Sequence, residues 1–134
     1  MPALYLVDTD ICIFARDKKP AVLRHFSSVR SGDIAISVIT YGELLHGAAK
    51  SSNPANAFAK LQAVMSVSPP LPLPEQAGEY FGNLRAELER RGEMIGVHDL
   101  WIASHALALG LTVVTNNERE FRRIRGLKLQ NWAV

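Results

Sequence analysis

Several things are scarce in this chain. It has one cysteine, Cys12, so no internal disulfide can staple the fold, and a reducing cytoplasm is the expected compartment. Flanked by Ile11, Ile13 and Phe14, Cys12 reads as a small core residue. With only four histidines beside it, the chain has few of the soft or imidazole ligands that a zinc site draws on. No apolar run is long enough to cross a bilayer, and no basic segment precedes the short N-terminal apolar run as a secretory leader requires. The formal net charge is only +2, too small by itself to indicate a nucleic-acid partner, so the placement of charge matters more than its sum. Internal repeats and low-complexity segments are also missing.

What is present suits one globular domain spanning residues 1–134. Hydrophobic residues make up 48% of the 134 positions, enough for a real core and too many for disorder. Leu4–Val7 is a short continuous apolar run, the pattern of a buried parallel strand. It ends in Asp8-Thr9-Asp10, with Thr9 or Asp10 a plausible cap for a helix opening at Ile11. Pro20–Val29 predicts a short helix with proline in its first turn. Residues 31–33 form a turn and Ile34–Ser37 a second strand. A helix over Val38–Lys50 follows, carrying Glu43 among Leu44 and Leu45, with His46 at the surface. Asn53 is placed to cap a helix over Pro54–Val64.

The proline-rich run from Val67 to Pro74 cannot donate a full ladder and belongs at a sheet edge. Glu75–Arg91 predicts an amphipathic helix with Ala77, Tyr80, Phe81, Leu84 and Leu88 on its apolar face. Arg85, Glu87, Glu89, Arg90 and Arg91 fall on its solvated face, and Gly92 ends it. The next helix, Ile95–Gly110, places Asp99 in a stripe with Ile95, Ile102, Ala103 and Ala106. An ionised carboxylate there must be paired, protonated or bound to a cation, unless it serves only the helix dipole. Leu111–Thr115 is a third strand, Leu127–Leu129 a last one, and Trp132 closes the core or its rim.

Strands alternating with helices argue a parallel sheet whose strand ends lie along one edge. Asp8, Glu43 and the Asn116–Glu120 segment follow such ends, and Asp99 heads a helix beside them. At about 4 Å and an effective dielectric of about 20, each carboxylate pair repels by about 4 kcal/mol, so the group needs a cation. Oxygen ligands favour Mg2+, or Mn2+ in its place. Such a centre suits phosphodiester or phosphomonoester hydrolysis.

These residues resemble the PIN-domain ribonucleases of the VapC toxin family, from bacterial type II toxin–antitoxin pairs. The likeness rests on LVDTDICIF, AISVITYGELLHG, RAELERRGEMIGVHDLWIASHALALG and VVTNNEREF followed by LKLQNW, and covers nearly the whole chain. It implies a three-layer α/β/α sandwich around a mainly parallel sheet and a Mg2+-dependent endoribonuclease with Asp8, Glu43 and Asp99 as metal-binding acids. It also implies a homodimer and inhibition by a cognate VapB-like antitoxin. Carried over the same way, Glu120 is the fourth catalytic acid and Asn116 a supporting amide, with Thr9 and Asp10 supporting Asp8. The likeness extends to members that cut initiator tRNA in its anticodon loop. Asp10 and His98 depart from the family pattern, which commonly has Asn, and Asn or Tyr, at those places.

Two other readings remain open in the sequence. Asp8 and Asp10 mimic the paired aspartates of a haloacid-dehalogenase-like phosphatase, although Cys12 and the missing lysine motif fit poorly. An inactive RNA-binding module is the other, although clustered acids do nothing for binding to phosphates. Arg119, Arg122 and Arg123, in the densest basic stretch, are the candidate RNA-binding residues beside Glu120.

Overall fold

The computed structural model describes residues 3–134; Met1 and Pro2, at the head of the domain read from the sequence, lie outside it. The elements run β1 (Tyr5–Val7), α1 (Thr9–Arg16), α2 (Pro20–Ser28), a 3-10 turn (Ser31–Asp33), β2 (Ile34–Ala35), α3 (Val38–Ala49) and α4 (Pro54–Val67). They continue through α5 (Glu75–Arg91), α6 (Val97–Leu109), β3 (Thr112–Val114), α7 (Glu118–Phe121) and β4 (Leu129–Gln130). Among the described residues the strands form one sheet in the order β2-β1-β3-β4, every pair parallel.

Register follows from the pleat. Leu6 pairs with Val113 and Val7 with Val114. Leu6 and Val113 point into one apolar layer with Leu88, Leu100 and Ile102 of α5 and α6. Val7 and Val114 point into the other, with Ile11, Val22 and Trp132. Successive strand residues face opposite sides, so three-residue strands are enough to build helix layers on both faces. Trp132 is buried at 1% exposure and closes the second layer edge-on against Tyr5 and Phe26 and stacked on His25.

Several boundaries move from the sequence reading. α1 is capped by Asp8, whose side chain accepts from the Thr9 amide, rather than by Thr9 or Asp10. α4 runs on to Val67 rather than stopping at Val64. The proline-rich run does take the edge: Leu71 exchanges backbone hydrogen bonds with Ile36 and Val38 beside β2. The last strand falls at Leu129–Gln130, later than Leu127–Leu129, because its register is fixed by Val113 and Val114.

Tyr80 is 41% exposed, off the apolar face assigned to it. Arg91 is not a free solvated charge: it pairs with Glu87 and Glu93 and donates to the Arg123 carbonyl, tying the end of α5 to the segment after α7. α6 is not one-sided either. Leu100, Ile102, Ala103, Ser104, His105 and Ala106 are all buried, because α6 lies against α3, α5, α7 and β3 at once.

Gly92 closes α5 at φ +66, with open space where a Cβ would sit. Gly92→Ala should therefore lower stability by about 1 kcal/mol through its left-handed backbone alone. Urea melts check this, and an unchanged midpoint would mean that the turn relaxes freely.

Candidate active site

The two central strands, β1 and β3, end side by side, and the residues that follow them meet. Asp8 follows Val7, and its amide donates to the Val114 carbonyl at 2.9 Å. Its Oδ1 accepts from the Thr9 amide at 2.9 Å and its Oδ2 from the Thr115 hydroxyl at 2.8 Å. It is 6% exposed. Burial, then the neighbouring charge of Asp10, pushes the Asp8 carboxyl from 3.8 up to about 6, against the pull of the Thr115 and Thr9 bonds; the Glu43 charge adds to the rise.

Glu43 comes from the second turn of α3. Its Oε1 accepts from the Thr9 hydroxyl at 3.0 Å, which links it to the β1–α1 junction. Its Oε2 lies 3.6 Å from His98 Nδ1 at the start of α6. Asp99, in the first turn of α6, accepts from the Asn117 side-chain amide at 2.9 Å, and the same amide donates to Glu120 at 2.8 Å. Burial is the main reason that Asp99 is pushed up to about 7. A hydrogen bond shared with Glu120 and the charges of Asp8 and Glu120 act in the same direction. Glu120 moves the opposite way, lowered by Asp99 and Asn117 and then by the charges of Arg123 and Arg119. Of the two carboxyls, Asp99 is thus the one that favours the proton and Glu120 the one that favours its charge.

The structure therefore brings together Asp8, Thr9, Glu43, Asp99 and Glu120. Asp10 stands behind them: its oxygens accept from the Ile11 amide at 2.7 Å and the Asn116 amide at 3.0 Å. Burial raises the Asp10 carboxyl, and those backbone bonds oppose the rise. Asn116 contributes its backbone, while its side chain turns away to accept from Asn131. The arginines separate. Arg122 is exposed and paired with Glu118, whereas Arg123 donates to the Met94 carbonyl at 2.6 Å. Arg119 is exposed.

Two side chains escaped the sequence reading, Thr115 and Asn117. Thr115 is fully buried and stands at the end of β3 as Asp8 stands at the end of β1. That strand-end position was the available signal for Thr115; Asn117 offered none beyond membership of the loop. Cys12 lies at the edge of the second apolar layer, and its thiol is pushed to about 12 by burial and by Asp8 and Asp10, too high for reactivity.

The donor set fits a hard divalent cation. Asp8, Asp10 and Asp99 have no lysine or arginine within ion-pair distance among the described residues; their hydrogen-bond donors are neutral. Glu43, Gly96, Val97, His98 and Asp99 line an open depression of about 360 Å3 at the surface. Among the described residues no three acid, histidine or cysteine side chains already converge enough to enclose an ion by themselves.

Comparison with known proteins gives a consistent result. The family described as PIN domain matches residues 5–127. A tRNA(fMet)-specific endonuclease VapC of Shigella flexneri is 40% identical over 129 residues, covering 96% of this chain and 98% of that one. Ribonuclease VapC2 of Rickettsia felis is 40% identical over 131 residues, again covering 96% and 98%. Among solved structures, DNA-bound VapBC from Salmonella typhimurium superposes with a TM-score of 0.90 at 38% identity, covering 97% and 98%. VapBC2 from Rickettsia felis bound to a promoter fragment gives 0.88 at 39% identity, covering 96% and 98%.

Proposed function

The chain belongs to the PIN-domain family, among its VapC-type toxin endoribonucleases, and from that premise we propose that it hydrolyses RNA with Mg2+, or Mn2+, held by Asp8, Glu43 and Asp99 with Glu120 as the fourth acid. The observation that carries this reading is a group of carboxylates from four separate elements whose buried members have only neutral donors for partners. When bound, the metal supplies an activated water and positive charge beside the scissile phosphate. The protein's own part is orientation. Thr9 holds Glu43, Thr115 holds Asp8, and Asn117 fixes Asp99 relative to Glu120. Asp99, whose burial favours its protonated form, would have to be deprotonated to serve as a ligand, so cation binding there would be linked to pH.

The paired-aspartate phosphatase alternative is set aside. Asp10 has both carboxylate oxygens engaged by backbone amides, a supporting position, and the chain matches the PIN domain over residues 5–127. The substrate proposed is initiator tRNA, cut in its anticodon loop, because relatives at 40% identity are tRNA(fMet)-specific and a loop exposes single-stranded phosphates. The partner proposed is a VapB-like antitoxin, as in the related VapBC complexes, acting on a homodimer of this chain. Among the described residues no helix is long and apolar enough to cross a membrane.

Incubation of the purified protein with total RNA, with Mg2+ or with chelator, followed by mapping of new ends, tests this reading. Metal-dependent ends within initiator tRNA are expected. Metal-independent RNA binding without cleavage would establish the inactive-module alternative instead.

Exposed Arg119 and Arg122 are the proposed partners of RNA phosphates. Arg119→Ala with Arg122→Ala should weaken RNA binding and reduce the slope of log K against log salt by roughly 0.7 for each single-strand phosphate no longer neutralised. Arg123→Ala should act differently, loosening the approach to α6 by freeing the Met94 carbonyl. A salt series on both variants checks this; unchanged slopes in the double variant would leave that face merely solvated.

A further inference from the structure

His105 is fully buried and stands apart from the acids. Its Nδ1 lies 2.9 Å from the Ser37 hydroxyl. That hydroxyl already accepts from the Ile39 amide at 3.1 Å, as the N-cap of α3, so its own hydrogen is free to go to Nδ1. The imidazole is then neutral with its proton on Nε2, and burial favours the neutral ring. Nε2 is buried without a hydrogen bond of ordinary geometry, while an interaction of the ring with the Pro72 backbone opposes the effect of burial. Such a group is costly to bury, and the packing here would be simpler with an apolar residue.

The placement suggests why a polar one is kept. Glu43 follows Ser37 by six residues on α3, and His105 follows Asp99 by six on α6, a rise of about 9 Å in each helix. Ser37 meets His105, and Glu43 meets His98, beside Asp99. The two helices therefore run antiparallel, joined at one end by a buried hydrogen bond and presenting two carboxylates at the other. We propose that His105 is a positioning residue, whose bond to Ser37 fixes α3 against α6 and so sets the separation of Glu43 and Asp99 for cation binding. A bond of fixed length and direction restrains both sliding and rotation, which apolar contact restrains weakly. This rests on the proposed metal-dependent reading of the site.

The test compares His105→Leu, His105→Asn and Ser37→Ala with the unsubstituted protein. Mn2+ affinity is measured by calorimetry without RNA, kcat and KM on initiator tRNA, and Tm in chelator. Loss of a partner bonded directly to a ligand typically costs about 10-fold or more in metal affinity; this bond acts through about two turns of helix, so a loss of roughly 3-fold to 10-fold is expected. His105→Leu and Ser37→Ala should weaken Mn2+ binding to that extent and lower kcat with KM little changed. His105→Asn places an acceptor near the Nδ1 position and should restore most of the affinity. If folded Ser37→Ala and His105→Leu bind Mn2+ as tightly as the unsubstituted protein and differ only in Tm, the bond is structural and the proposal is overturned. Should His105→Leu fail to fold, Ser37→Ala with the His105→Asn rescue decides. An unsubstituted protein that neither binds Mn2+ nor cuts RNA overturns the metal-dependent reading itself and the inference with it.

Discussion

Asp8→Asn is expected to abolish RNA cleavage while making the metal-free protein more stable. The two effects share one cause. Asp8 is an almost fully buried carboxylate with neutral donors, the Thr9 amide and the Thr115 hydroxyl. On the proposed reading, its burial is tolerable in the working enzyme because a cation shares the charge. Asparagine keeps the volume and one acceptor oxygen but removes the charge that binds the metal. A loss of several kcal/mol of transition-state stabilisation corresponds to about 1000-fold or more in kcat. In chelator at pH 7 the same change relieves the cost of ionising Asp8. A rise in its pKa from 3.8 to about 6 is worth about 3 kcal/mol, the upper limit of the gain. Single-turnover cleavage and urea melts in chelator read both effects. Undiminished cleavage would remove Asp8 from the site, and lower stability in chelator would mean that its hydrogen bonds outweigh its burial.

A second expected result is that the metal-free protein loses stability as pH rises from about 4 to 7. Asp8 has a folded-state pKa above its unfolded value, so the folded state binds the proton more tightly. Its contribution is fully present below pH 3.8 and lost as pH passes through about 6, a change of about 3 kcal/mol. Asp99, also raised, extends the decline to about pH 7, and Asp10 shifts the same way. Buried His105, lowered from 6.5, returns stability as pH rises toward 6.5, so the decline is read on a His105→Asn background. Glu120 is lowered and works in the opposite sense, adding stability above its unfolded pKa that is lost at low pH; its coupling to Asp99 offsets part of the decline. Divalent metal should flatten the decline, since it binds the deprotonated acids. At a hundredfold excess over Kd it adds about 2.7 kcal/mol to the native state. Denaturant melts across this pH range, with chelator and with Mn2+, give the comparison. A metal-free stability that climbs steadily toward pH 7 would contradict the burial-dominated account of Asp8 and Asp99.

Much of the molecule follows from local pattern. The apolar runs at 4–7, 34–37 and 111–115 are too short and too continuous for amphipathic helices, and they alternate with helical periodicity, which specifies a parallel sheet. Gly92 and Gly110 stop α5 and α6 because each closes its helix at positive φ, which a side chain resists. Asp8, Glu43 and Asp99 stood out because each is an acid at a strand end or helix start among apolar neighbours, where ionisation is costly. All of this is decided within one element, by the chemistry of residues a few positions apart.

The rest depends on partners far away in the chain. Thr115 supports Asp8 across 107 residues, and nothing near position 115 marks it except the strand end. Asn117 became the bridging amide and Asn116 did not, because α7 turns one side chain toward α6 and the other toward Asn131. α6 looked one-sided because periodicity registers only a helix's own sequence, yet α3, α5, α7 and β3 cover it on several sides. Arg91 read as a solvated charge and Arg123 as an RNA contact until the fold gave each a backbone carbonyl to hold. The sequence alone thus determined which residues are costly to bury and where strands and helices begin. Only the tertiary structure decided what each costly group faces, because hydrogen bonds and charge pairing act through space and are fixed when the sheet sets its register.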